Sequence, residues 1–269
     1  MNDSPPSAGE RAAIAGYSAQ YGIAAEIVRR HLRDLQWIRL ADPTAGVADD
    51  FQFGTSNARH AIQVKWALYP DSFSWSDLFG TPNSETSLFG DLATAWRRLR
   101  DETDGVLRIH LCSNRYASSA TPQAGSPLQQ VTATGPHHLA AFLARSFQPV
   151  QHLIACGLDD WSTIEDHDLV REWRSAWDRV QAASGLSDVD FVAYLAAIEV
   201  RLGISAPLEL LADSEQSSDQ HHIAQTSQRL VSDARHIVHL TRDELLTELG
   251  WWNRLAYRHP HRFPVPEVY

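Results

Sequence analysis

The run Ala61-Ile62-Gln63-Val64-Lys65-Trp66-Ala67 constrains the fold more than any other stretch of the chain. Ile62, Val64 and Trp66 alternate with Gln63 and Lys65, the period of a strand with one apolar and one polar face. A second alternation, Asp50-Phe51-Gln52-Phe53, lies upstream and stops at Gly54. A polar loop separates the two runs. Paired as a hairpin, they bring Asp50, Gln63 and Lys65 to one sheet face, opposite Phe51, Phe53, Ile62 and Val64.

The surrounding pattern extends this hairpin into an α/β domain. Tyr17, Tyr21, Ala24, Val28 and Leu32 recur at helical spacing and predict a first helix over about 12–34. Trp37 to Ala41 reads as a short strand before a turn at Asp42-Pro43 and Gly46. Past the hairpin, Leu92, Ala95, Trp96 and Leu99 give the core face of a helix from Leu88 to Asp101, and Val106 to Cys112 reads as another strand. A Ser-, Thr-, Pro- and Gly-rich loop over 116–135 leads to a helix from His137 to Ser146. The order helix, three strands, helix, strand, helix places an α/β domain at 12–150, behind a disordered leader at 1–11. Helical patterns at 162–183, 188–202, 218–236 and 241–252 predict an all-helical domain over 151–269, with a polar connector from Asp213 to Gln220. Trp161, Trp173, Trp177, Trp251 and Trp252 read as packing residues of that part.

Charge and cysteine use narrow the setting. The net charge is -10, but residues 1–150 carry 13 Lys+Arg against 14 Asp+Glu, whereas residues 151–269 carry 10 against 19. The acidity therefore lies in the second half, and the nearly neutral first half remains able to approach a phosphate backbone weakly. Several copies acting together would hold such a partner more firmly. Cys112 and Cys156 have no metal-ligand spacing and read as buried thiols in a reducing compartment. No apolar run reaches membrane-spanning length, and the polar N-terminus lacks a signal pattern, so the expected location is the cytoplasm.

Lysine use points to a site. The chain has 22 arginines and a single lysine, Lys65. An ammonium is a compact point charge that a planar guanidinium does not reproduce. A carboxylate (Asp50) and an amide oxygen (Gln63) are hard ligands suited to Mg²⁺, with Mn²⁺ as its substitute. Such a metal neutralises a phosphate and acidifies a bound water, while a lysine orients that water or steadies developing charge. Taken singly, Asp50 reads as a turn residue beside Asp49, Gln63 as a solvated amide and Lys65 as a surface cation. Their convergence on alternate positions of an apolar strand favours a joint role.

Asp50 followed by Ile62-Gln63-Val64-Lys65 resembles the D…QxK variant of the PD-(D/E)xK nuclease superfamily. It is similar in particular to the Mrr-like double-stranded-DNA nuclease domains that act as effectors of bacterial antiphage systems. Gly16-Tyr17-Ser18-Ala19-Gln20-Tyr21 resembles their first-helix motif, and Trp37-Ile38-Arg39-Leu40-Ala41-Asp42 and Phe73-Ser74-Trp75-Ser76-Asp77-Leu78 are similar to further segments. The similarity covers roughly 12–115. It implies a restriction-endonuclease-like mixed sheet flanked by helices and Mg²⁺-dependent cleavage of DNA. Asp50 matches the metal-binding aspartate, with Asp49 the second choice; Gln63 matches the second metal ligand, Lys65 the catalytic lysine, and Gln20 an auxiliary position that is often Glu. The glutamines at 20 and 63 depart from the acidic pattern and reduce the negative charge around a metal. Similar domains often precede a STAND-type NTPase sensor. The resemblance therefore also implies self-association and a C-terminal NTPase region, with residues 262–269 read as the start of a linker.

Other features leave choices open. Arg29, Arg30 and Arg33 on the first helix, and Arg97, Arg98 and Arg100 on a later one, either contact phosphates or solvate helix faces. Glu26 has Arg29 and Arg30 at ion-pairing distance along the helix, which favours a surface pair over a metal contact. The pairs His137-His138 and His221-His222, and His259 with His261, have no partner at a ligand spacing, so a histidine zinc site is not expected. Cleavage of RNA, nicking of one strand, and a non-catalytic DNA-binding or assembly module are the competing readings.

Overall fold

The computed structural model describes residues 8–31, 34–41, 46, 48, 50–81, 84, 86–119, 139–204 and 239–244. Helix α1 (Ala8–Arg30) is followed by strands β1 (Leu35–Leu40), β2 (Phe51–Thr55), β3 (Ala58–Lys65) and β4 (Ser72–Phe73). Then come α2 (Trp75–Phe79), α3 (Leu88–Asp101), β5 (Val106–Ser113) and β6 (Tyr116–Ala117). Helix α4 (Leu139–Phe142) runs through a π turn (Leu143–Phe147) into α5 (Gln148–Ala155). Four short helices follow, α6 (Trp161–Glu165), α7 (Asp168–Arg171), α8 (Arg174–Ser184) and α9 (Asp188–Ala197), and then strands β7 (Ile198–Arg201) and β8 (His239–Thr241).

Six strands form one mixed sheet in the order β7-β5-β3-β2-β1-β8. The meander β1-β2-β3 is antiparallel, β5 and β7 run parallel to β3, and β8 pairs antiparallel with β1. The observed class is thus α/β with a mixed sheet flanked by helices. On one face, Ile38, Leu40, Phe51, Phe53, Ile62, Val64 and Cys112 pack with Ile23, Ala24 and Ile27 of α1. On the other face, Leu107, Ile109 and Leu111 of β5 join the larger core made by α2, α3 and the helices after residue 139. The expected alternation is therefore realised: Ile62 and Val64 face α1, with Trp66 packed against the same cluster. Trp161, Trp173 and Trp177 are buried as expected.

Several expectations need correction. Residues 8–11, assigned to the leader, already belong to α1, which closes at Arg30 rather than near residue 34. Tyr17 is 63% exposed and leaves the apolar stripe, which runs instead through Ile23, Ala24, Ala25 and Ile27. The part after residue 150 is not all-helical: β7 joins β5, and β8 joins β1. Ile198-Glu199-Val200-Arg201 alternates with β-branched residues on one side, and the open edge of β5 supplies parallel hydrogen-bonding partners that a helical continuation of α9 would forgo. The proposed boundary at 150 falls inside α5, and a single core spans residues on both sides of it. Cys112 is buried, but Cys156 is exposed. The leader over 1–7, Leu32, Arg33, Asp49, His137-His138, the 218–236 pattern, Trp251-Trp252 and the terminal stretch lie outside the described residues. So do the side chains of Glu26, Val28, Arg29 and Arg30. No helix among the described residues is long and apolar enough to cross a membrane.

Local chemistry explains the elements that frame the sheet end. Ser74 caps α2 through a capping box, its hydroxyl accepting from the Asp77 N–H while Asp77 accepts from the Ser74 N–H. Trp75, Leu78 and Phe79 are thereby aimed into the core. Arg115 ties this turn to the short β4-β6 pair, donating to Asp71 (2.5 Å), the Ser72 carbonyl (2.7 Å) and Asp77 (3.2 Å) and lying over the Phe73 ring. Helices α3 and α8 meet at Gly90, where an added Cβ would stand 2.3 Å from the Ala183 carbonyl oxygen. That neighbour is backbone and cannot swing away. Gly90→Ala is therefore expected to destabilise the protein by about 1–3 kcal/mol, as overpacking does. Chemical denaturation measures it; a change within experimental error would show that the helices separate freely.

Candidate functional site

Strand register brings the first two predicted residues together. Phe51 pairs with Ile62 across the antiparallel β2-β3 ladder, which sets Asp50 opposite Gln63 at the strand end. Gln63 Nε2 donates to Asp50 Oδ2 at 2.5 Å, and the Val64 N–H donates to the same oxygen at 2.5 Å. Gln63 is 4% exposed and Asp50 half-buried. From α1, Gln20 Nε2 donates to the Asp50 backbone carbonyl at 2.7 Å. Gln20 thus holds the Asp50 backbone rather than the carboxylate. The buried phenol of Tyr21 lies in the field of Asp50: burial, then the neighbouring Tyr17 and Asp50, raise its pKa.

Lys65 ends β3 two residues beyond Gln63, and its side chain is exposed. Its backbone is clamped to the end of β5. Ser113 Oγ donates to the Lys65 carbonyl at 2.5 Å, and the Asn114 side chain both accepts from the Ala67 N–H (2.9 Å) and donates to the Ala67 carbonyl (2.7 Å). Among the described residues the Lys65 ammonium has no ion-pair partner. Strand alternation gives Gln63 and Lys65 the same side of β3. Deeper on that face, Arg59 donates twice to buried Gln52 (3.1 and 2.7 Å), a polar contact that fastens β2 to β3. Arg97 and Arg98 are exposed on α3, whereas Arg100 is paired with Asp190 at 2.6 Å and lies over Trp96. Arg97 also lowers the Asp190 pKa, after Arg100 itself, so it sits near the start of α9.

A carboxylate and a side-chain amide meet at the strand end, with the amide nitrogen toward the carboxylate. Magnesium commonly takes one or two carboxylates and fills the remaining positions with water and phosphate oxygens, so this donor set fits it. The Gln63 amide now presents nitrogen to Asp50. Reversing the amide would put two oxygens face to face, an arrangement that only an intervening cation favours. Among the described residues, no group of three or more His, Cys, Asp or Glu side chains is placed to hold a metal ion.

A second polar cluster, absent from the sequence reading, occupies the α1 face of the sheet. Glu199 Oε2 lies 3.0 Å from His110 Nδ1, and His110 Nε2 lies 3.0 Å from His60 Nδ1. His60 stacks on Phe53 with ring centroids 4.3 Å apart, and His31 tilts against Phe53 at 5.4 Å. The hydrogen bond from His110 outweighs burial and, with the charges of His110 and Arg201, holds the Glu199 pKa down to about 2. Burial, followed by the charges of His110, His31 and Arg108, pushes the His60 pKa down to about 3. Burial also pushes the Cys112 thiol up to about 12, which leaves it unreactive. The residues forming the cluster are dozens of positions apart in the chain, and no local spacing announces them.

Comparison with protein-family models gives no match, and comparison with curated proteins gives no significant similarity.

The cluster predicts acid lability. An unfolded chain protonates His60 below about 6.5, whereas the folded site resists until about 3. Glu199 likewise protonates near 4.5 when unfolded but near 2 when folded. In both cases the unfolded state binds more protons, so stability falls as pH drops, from about 6.5 to 3 through His60 and from about 4.5 to 2 through Glu199. The melting temperature of His60→Gln should fall less steeply between pH 6.5 and 4 than that of the parent; parallel slopes would contradict the assignment.

Proposed function

We propose that the chain is a Mg²⁺-dependent endonuclease that hydrolyses phosphodiester bonds in double-stranded DNA, on a restriction-endonuclease-like arrangement of the mixed sheet. The observation that carries the reading is the Asp50–Gln63 contact on adjacent antiparallel strands, with the chain's single lysine two residues beyond. The mixed sheet flanked by helices supports it too, because this is the architecture the resemblance implies.

Asp50 and Gln63 would hold the metal. When bound, it neutralises the scissile phosphate and makes a coordinated water more acidic. The remaining work belongs to the protein. The Val64 N–H and the Gln20 amide anchor Asp50, so that its carboxylate enters the site preorganised. Ser113 and Asn114 fix the backbone that carries Lys65, and its exposed ammonium can meet a phosphate oxygen or an attacking water. With one carboxylate rather than two, the site binds its ion loosely, and the substrate's own phosphates must complete it. Assembly into several copies would raise the local concentration of such sites on DNA. An effector role in antiphage defence, coupled to an NTPase sensor, is the biological setting the resemblance favours.

One observation favours a second reading. Two N–H groups already satisfy Asp50 Oδ2, so the strand end is stable with no ion present, as a non-catalytic binding module would require. Two variants separate the readings. Lys65→Ala should retain the fold, because the side chain is exposed, and lose about 10²-fold or more of Mg²⁺-dependent plasmid cleavage. Gln63→Glu places two carboxylates together, so its melting temperature should fall in chelator and recover on adding Mg²⁺. A parent protein that cuts neither DNA nor RNA, with Gln63→Glu indifferent to Mg²⁺, would establish the binding module. Cleavage of RNA alone would reassign the substrate.

A further inference from the structure

The α1 face carries a cavity of about 800 Å³ on the side of the sheet opposite Gln63. That volume is in the range of small-molecule sites. Its floor is a row of aromatic rings from His31 and Phe53 to His60 and His110, with neighbouring centroids 4.3 to 6.4 Å apart. Its walls are aliphatic, with Ile23 and Ile27 of α1 on one side and Leu195 and Ala197 of α9 on another. Rings stacked in a row cover one another's faces and offer their edges, and an aromatic edge meets the face of a flat heterocycle in the T-shaped arrangement that such groups favour.

The polar lining has a sign. Arg108 and Arg201 border the cavity, against a single carboxylate, Glu199, in a chain of net charge -10. That carboxylate is engaged by His110 and by Arg201, the latter at 2.6 Å. Arg108 is exposed and stands beside His60 in the β3-β5 register. It donates one N–H to the Ala196 carbonyl at 2.5 Å, and among the described residues its other N–H groups have no partner. A guanidinium fork at the mouth of an aromatic-floored cavity matches a phosphate on a planar body. We infer that this cavity binds a small planar organic anion of the nucleoside monophosphate type, with the base over the His60–Phe53 rings and the phosphate at Arg108. The site is separate from Asp50 and Gln63 and does not depend on the nuclease reading.

Isothermal titration of the full chain in chelator with each of the four ribonucleoside monophosphates tests the inference. At least one should bind at a single site with a dissociation constant of roughly 1 mM or tighter, and its nucleoside and inorganic phosphate alone should each bind at least about tenfold more weakly. Arg108→Gln and His60→Gln should each weaken binding about tenfold or more, while Asp50→Asn should leave it unchanged. Failure of all four to bind a folded protein would overturn the inference. So would binding that survives both cavity substitutions, or binding that is lost in Asp50→Asn.

Discussion

The register of one hairpin governs the chemistry of this protein. Because Phe51 faces Ile62, Asp50 faces Gln63, and Phe51, Phe53, Ile62 and Val64 turn together into the core under α1. A slip of β3 by one residue against β2 would turn Ile62 and Val64 out of the smaller core and bury Gln63 and Lys65 against α1. Burial of the apolar set therefore fixes the position of the polar set. The Arg59–Gln52 contact on the other face reinforces the same register, since it can form only when these two residues are paired diagonally across the ladder. Trp37 adds a steric constraint. A Cβ on Gly54 would stand 2.3 Å from the indole nitrogen of Trp37, so β1 can lie close against β2 only where a glycine sits.

The sheet divides its work between two faces. At the strand ends opposite α1, the Val64 N–H anchors the Asp50 carboxylate, and the Ser113 and Asn114 side chains fix the backbone that carries Lys65. On the α1 face, imidazoles and guanidinium groups line a cavity floored by aromatic rings. β3 and β5 supply both, because alternate residues point to opposite sides: Gln63 to one, His60 to the other. Chemistry on one face can thus be altered with little disturbance of the other, provided that the pairing survives.

What could be read from the sequence follows from the range of the interactions. The Asp50–Gln63 pairing is legible because strand alternation is local and the two residues lie thirteen positions apart. The helix from Leu88 to Asp101 was legible through its 3.6-residue apolar period, and its bounds agree with the structure. β7 was not: four alternating residues directly after α9 fit the end of a helix as well as a strand, and only the open edge of β5 decides between them. The His60–His110–Glu199 chain was hidden for the same reason. Its members come from three parallel strands whose adjacency is set by tertiary packing. Tyr17 was misplaced because α1 buries a stripe centred on Ile23 and Ile27, and this leaves the tyrosine on the solvent side.

The most direct test of the central claim is a crystal structure of the protein soaked in Mn²⁺, read by anomalous scattering. One peak is expected within about 2.5 Å of both the Asp50 carboxylate and the Gln63 amide oxygen, with that amide reversed from its present orientation. A peak elsewhere, or none at Asp50 with Gln63 still donating to it, would rule out a metal site between these two strands.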